Sequence, residues 1–205
     1  MLIKKTLEEF LDDVASKSPA PGGGSTAALA GSLSASLVSM VCHLTIGKKG
    51  YDNVENIMKK TLIKSETIRK KLMDLIDTDT NAFDGVIAAF RMPKNTEKEQ
   101  EERKKAIQEG YKIAADVPLT TANYCDQLWE HIQMVAEKGN KNSLSDAGVA
   151  SLLNSAGLRG AILNVLINLD SIKDQVYITE VKKKIRNLEK KASLYQKEIM
   201  DCINL

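Results

Sequence analysis

The sequence predicts an all-α protein, a bundle of long antiparallel helices. Three observations carry that prediction. Apolar residues recur at steps of three and four through most of the 205 positions. No stretch reads as a convincing strand. Start and stop signals, capping boxes at one end and proline or glycine at the other, bracket the periodic stretches. The expected organisation is one domain over 1–205, long enough to bury a real core.

The elements follow in order. Thr6 and Glu9 form a capping box, and Leu7, Phe10, Leu11 and Val14 behind it make the stripe of a helix ending near Lys17. The stretch "SPAPGGGSTAALAG" (Ser18 to Gly31) then opens a second helix reaching about Thr45. Its alanines, serines and Gly31 leave little bulk, so other helices can approach it closely, either as a central helix or across a dimer axis. Asp52 and Glu55 are expected to cap a third helix, about 53–91, closed by Pro93. Thr96 and Glu99 open a fourth, with the seam Ile107, Tyr111, Ala114, Pro118, Thr121, Cys125, Leu128, Ile132 and Val135. Pro118 inside that seam predicts a kink or short break, and Gly139 a stop. "GNKNSLSD" leads into a fifth helix, about 146–169, with Ser145 and Asp146 as N-cap types. A last helix carries a heptad seam from Val181 through Ile185, Leu188, Ala192, Tyr195 and Ile199 to Cys202.

Composition narrows the function. The 29 basic and 27 acidic residues are interspersed and give a net charge of +2, which argues against a nucleic-acid partner. Cys42, Cys125 and Cys202 lie far apart, and His43 and His131 are the only histidines. Neither a metal site nor a disulfide framework is expected, and a reducing cytoplasm is the simplest setting. The N-terminus has no apolar core of signal-peptide length. Residues 25–47 carry no Lys, Arg, Asp or Glu, long enough on paper to cross a bilayer. Their many hydroxyls make a poor spanning helix, so a buried central helix and no membrane partner are expected.

Polar residues on apolar stripes mark the candidate site. Asp79 lies four and seven positions from Leu75 and Leu72, and four and seven from Phe83 and Val86, so it faces the core side; Asp77 does not and is expected in solvent. A carboxylate on a core face is paired, hydrogen-bonded or functional. On the fifth helix, Asn154, Gly157, Ala161, Asn164 and Asn168 share a face that can either bond neighbouring helices or read the donors and acceptors of a heterocycle. "APGGGS" and "GNKNSLSD" each bring backbone N–H groups to a helix start, where anions and carboxylates bind. Lys48 in "GKKGY" is either a solvated turn residue or a cation for an anionic substrate tail. "GGGSTA" follows no strand and has no Walker lysine, so nucleotide-loop readings fail.

"SPAPGGGS", "LTIGKKGY", "DTNAF", "MPKNTEKE", "VPL", "GNKNSLSDAGVA" and "NVLINL" occur in one order over nearly the whole chain. This resembles the cyclodeaminase/cyclohydrolase family of folate enzymes, which includes the C-terminal domain of formiminotransferase-cyclodeaminase and stand-alone methenyltetrahydrofolate cyclohydrolases. The resemblance implies an all-helical homodimer or larger assembly, a folate substrate and no cofactor. It implies chemistry at the N5–N10 bridge of tetrahydrofolate, with cyclohydrolase activity expected and cyclodeaminase activity as the alternative. It places the family's acid on Asp79. The glycine loop falls on Pro21, Gly22, Gly23, Gly24 and Ser25, and the family's second loop on Gly139, Asn140, Ser145 and Asp146. With Lys48, Asn164 and Asn168 these complete the expected substrate-binding set. A non-catalytic helical scaffold or folate-binding protein is the alternative of another class.

Overall fold

The computed structural model describes residues 1–203, and among these there are six α-helices and no strand. They are α1 (Leu7–Val14), α2 (Gly23–His43), α3 (Glu55–Phe90), α4 (Glu97–Lys138), α5 (Leu144–Leu169) and α6 (Gln175–Cys202). Helices α2 to α5 run up and down as antiparallel neighbours, with α2 against both α3 and α5, and α4 against α3 and α5. α6 lies over α4 and α5.

The packing of α2 follows from its missing side chains. A Cβ on Gly157 would lie 2.9 Å from the Gly31 nitrogen and 3.0 Å from the Ala27 carbonyl oxygen, so α2 and α5 meet backbone to backbone. A Cβ on Gly31 would lie 2.8 Å from Cys125 Sγ of α4. Serines replace bulk with hydrogen bonds: Ser34 Oγ donates to the Ala150 carbonyl at 2.7 Å, and Ser39 pairs with Ser65 at 2.9 Å. α2 and α5 are both long and apolar enough to cross a bilayer, but 61% and 50% of their apolar windows are buried within the bundle.

Several expectations are corrected. α1 buries only Phe10 of its four-residue stripe, because it lies at the edge of the bundle. Asp77 is not a solvated residue: its carboxylate accepts the backbone N–H groups of Leu2 and Ile3 and straps the N-terminal turn to α3. Asp52 sits in a short 3-10 turn, Asp52–Val54, and α3 starts without a side-chain cap. α5 starts at Leu144, so Ser145 and Asp146 occupy its first turn, while Asn140 caps the 3-10 turn Lys141–Ser143 ahead of it. At the end of α6, Cys202 is exposed and Ile203 is buried in its place. The capping boxes at Thr6/Glu9 and Thr96/Glu99 form as expected.

Pro118 causes no break, because α4 runs continuously through it from Glu97 to Lys138. A proline cannot donate to the carbonyl four residues back. That carbonyl, of Ala114, accepts instead from Asn168 Nδ2 of α5 at 3.0 Å.

The Gly157 contact yields a paired prediction. Gly157→Val forces α5 away from α2 and lowers unfolding free energy by about 3 kcal/mol. Gly85, an exposed glycine inside α3 with nothing within 4 Å of its added Cβ, behaves oppositely: Gly85→Ala raises stability by about 1 kcal/mol. Urea unfolding of the two variants checks both signs.

Candidate active site

One end of the bundle gathers the N-terminus of α2, the second half of α3, the first half of α4 and the last turns of α5. Between them is a cavity of about 450 Å³, lined by Gly22, Gly23, Gly24, Asp79, Thr80, Phe83, Tyr111, Ala114, Asn164, Ile167, Asn168, Asp170 and Ser171, with Pro19 and Ala20 at the loop.

The glycines admit two of these side chains. A Cβ on Gly24 would lie 2.0 Å from Asp79 Oδ1, and one on Gly23 would lie 2.9 Å from Asn164 Nδ2. The carboxylate of Asp79 therefore occupies the place a side chain on α2 would fill. Gly22, the N-cap of α2, has no side chain to bond the free N–H groups of the first turn. Asp79 supplies that function from α3: its carboxylate accepts the backbone N–H of Ser25 and, at Oδ2, the Ser25 hydroxyl at 3.2 Å. The same hydroxyl lies 2.9 Å from the Ile76 carbonyl, so its one proton serves either acceptor. Burial pushes the Asp79 carboxyl above its ordinary range, and the two Ser25 hydrogen bonds pull it back in part.

The amides of α5 are anchored on carbonyls, Asn164 by one hydrogen bond and Asn168 by two. Asn164 Nδ2 donates to the Gly160 carbonyl at 2.8 Å. Asn168 Nδ2 donates to the carbonyls of Asn164 at 2.8 Å and Ala114 at 3.0 Å. With both of its N–H groups on carbonyls, Asn168 leaves Oδ1 as its free atom, while Asn164 keeps one N–H beside its Oδ1. Two carboxylates, Asp79 and Asp170, line the cavity and no Lys, Arg or His does. A positively charged, donor-bearing planar group suits the two carboxylates of this lining. Among the described residues there is no group of His, Cys, Asp and Glu suited to hold a metal ion.

The structure divides the expected site residues. Gly22, Gly23, Gly24, Asp79, Asn164 and Asn168 come together. Pro21 and Ser25 are buried behind them and do not line the cavity; Ser25 supports Asp79. Lys48, Asn140, Ser145 and Asp146 belong to the opposite end of α2, whose 21 residues span about 31 Å. There Lys48 Nζ donates to Asn140 Oδ1 at 2.6 Å and sits over the Tyr51 ring. Asn140 also donates from its backbone to Thr45 Oγ1 and from Nδ2 to the Leu44 carbonyl. Asn154, on the expected asparagine face, donates to the Cys125 carbonyl as an interhelical bond. Sequence reasoning missed Thr80, Tyr111, Asp170 and Ser171. Tyr111 was readable only as a seam residue, whereas Asp170 and Ser171 directly follow the "NVLINL" face and could have been included.

Comparison with known proteins agrees with this architecture. The family model described as formiminotransferase-cyclodeaminase matches residues 6–187. The methenyltetrahydrofolate cyclohydrolase of Methylorubrum extorquens is 45% identical over 199 residues, 97% of this chain and 96% of that protein. The formimidoyltransferase-cyclodeaminase of Rattus norvegicus is 37% identical over 93% of this chain, which spans 35% of that longer protein. The crystal structure of formiminotetrahydrofolate cyclodeaminase from Thermotoga maritima superimposes with a TM-score of 0.89 at 31% identity, covering 99% of this chain and 98% of that one. By fold and by sequence over nearly its whole length, the chain belongs to the formiminotransferase-cyclodeaminase family.

Proposed function

We propose that the protein is a methenyltetrahydrofolate cyclohydrolase, converting 5,10-methenyltetrahydrofolate and water to 10-formyltetrahydrofolate. The observation that carries this reading is a half-buried carboxylate, Asp79, in a cavity lined by a second carboxylate, Asp170, and by no Lys, Arg or His. The methenyl bridge is a planar amidinium cation, which such a lining attracts. The whole-length relative at 45% identity, itself named a methenyltetrahydrofolate cyclohydrolase, supports the same choice.

In this reading Asp79 takes a proton from water as its oxygen bonds to the bridge carbon. The product of that step is a neutral tetrahedral carbinolamine. The carbon–N5 bond then breaks, Asp79 returns its proton to N5, and the carbinol hydroxyl loses a proton to solvent. The bridge carbon ends as the formyl group on N10, and one proton is released overall. A carboxyl held above its ordinary range suits both the uptake and the return of the proton. The cyclodeaminase alternative, 5-formiminotetrahydrofolate closing to the methenyl form with loss of ammonia, uses the same carbon and the same acid. The structural likeness to the Thermotoga maritima cyclodeaminase favours keeping it.

The working form in this reading is a homodimer in the cytoplasm. α2 and α5 leave Leu33, Met40, Leu44, Val149, Leu152, Leu163 and Ile167 exposed along one face, with Ile167 at 67%. Ile167 also lines the cavity, so a second copy on this face would wall the site. An antiparallel copy would bring its own Lys48 end toward the cavity and supply a cation for a folate's carboxylate tail. Three free cysteines fit a reducing compartment.

Three outcomes are expected. Asp79→Asn lowers turnover of the methenyl compound by about 10²–10⁴-fold, followed as loss of methenyl absorbance; near-native turnover by a folded variant sinks the assignment. The raised carboxyl also sets a stability sign. Its stabilising contribution is full below the ordinary Asp range and lost as pH rises through the native value. Asp79→Asn therefore melts above the native protein at pH 8, and the gap closes on acidification, measured by thermal scans at several pH values. Sedimentation should give twice the 22.5 kDa chain mass, and Leu152→Glu should give the monomer; a monomeric native protein removes the dimer.

A further inference from the structure

We propose that Pro118 is a positioning residue for ligand recognition: by leaving the Ala114 carbonyl free, it fixes the Asn168 amide with its oxygen toward the cavity. The inference rests on the proposed reading of that cavity as the folate site.

A proline inside a 42-residue helix is strongly unfavourable relative to alanine. It removes one helix hydrogen bond, and its ring crowds the carbonyl four residues back. Here that carbonyl belongs to Ala114, which lines the cavity, and it points to α5. Asn168 Nδ2 meets it at 3.0 Å and meets the Asn164 carbonyl of its own helix at 2.8 Å. Both hydrogens of the amide are then engaged by carbonyls. The amide cannot turn over without setting its oxygen against two other oxygens, so Oδ1 is held as the free atom. An alanine at 118 would return an N–H to Ala114 and remove the need for Asn168. Its amide would then be held by one helix carbonyl alone and could present either a donor or an acceptor. The local cost of Pro118 is thus coupled to the polarity of the cavity wall, as expected where strain sits at a functional site.

The test uses the full chain and two readouts. The first is the side-chain amide of Asn168 by ¹H–¹⁵N NMR, assigned through its absence in Asn168→Asp. In the native protein its protons exchange slowly; in Pro118→Ala they exchange fast. The second is affinity for 5,10-methenyltetrahydrofolate, which should fall roughly tenfold in Pro118→Ala, the equivalent of one hydrogen bond, while the urea midpoint rises. Pro118→Ser serves as a second variant with the same expectation. A double-mutant cycle adds a third measure: Asn168→Asp leaves the Ala114 carbonyl facing a carboxylate, and Pro118→Ala should relieve that loss, so the two changes are not additive. Unchanged amide protection in Pro118→Ala overturns the proposal, as does unchanged affinity once the amide is released, or strict additivity. A native protein that fails to bind the folate would count against the functional reading, while the amide measurement would still decide the positioning claim.

Discussion

The close approach of α2 to α5 is the constraint on which the rest depends. Helices bearing side chains pack with their axes 8–10 Å apart. Here Gly157 rests on the backbone of Gly31 and Ala27. Because the two helices are antiparallel, seven residues along α5 and eight back along α2 lead from that contact to Asn164 and Gly23, which meet again. One glycine crossing thus sets the register of the cavity wall. Leu72 and Cys125 close on Gly31 from α3 and α4, so the small-residue helix is packed from three sides at once.

On the other side of α2 the same economy of side chains lets Asp79 in. Its carboxylate is held by opposing effects. Removing a charge from water costs several kcal/mol. Hydrogen bonds to a charged group return about 1.5–3 kcal/mol each, and a helix N-terminus returns about 0.3–1 kcal/mol. The Ser25 donors at the start of α2 therefore offset the burial in part without cancelling it, consistent with the upward direction of the carboxyl. A fuller set of donors would make a tighter cap and a poorer base. The residue that completes the first turn of α2 is also the carboxylate wedged against its backbone at Gly24, so capping and chemistry are not separable functions of Asp79.

Much of this was legible in the residues. The three- and four-residue steps of α3 placed Asp79 on the same face as Leu72, Leu75, Phe83 and Val86; three of these are buried, and Phe83 is instead exposed at the cavity. The capping boxes marked where α1 and α4 begin. The asparagine face of α5 was visible as a stripe, but whether each amide bonded a helix or faced a cavity was not. Asn154 does the first, Asn164 and Asn168 both. Of the kink or short break expected at Pro118 the break is absent, because the consequence of a missing N–H depends on what stands opposite the freed carbonyl. That partner is 54 residues away in sequence, beyond the reach of any local rule. Asp77 was misread for a similar reason, since its partners are at the N-terminus.

The separation of the two loops was, by contrast, open to deduction. In an up-and-down bundle each helix reverses the direction of the last. If α2 starts at one end, α3 ends there, α4 begins there and α5 finishes there. The turns "GKKGY" and "GNKNSLSD" follow the ends of α2 and α4, so both fall at the far end, where Lys48 and Asn140 are found together. Helix boundaries good to a few residues are enough for this parity argument. It follows that one copy of the chain cannot place Lys48 and Asp79 on the same small ligand. Either the Lys48 cluster only ties the α2–α3 turn to the α4–α5 turn, or it acts on a cavity in another copy. The exposed apolar stripe along α2 and α5 runs from Leu44 beside that cluster to Ile167 at the cavity. A two-fold axis across the middle of such a stripe exchanges its ends. The geometry that divides the expected site within one chain is therefore the geometry that would reunite it between two.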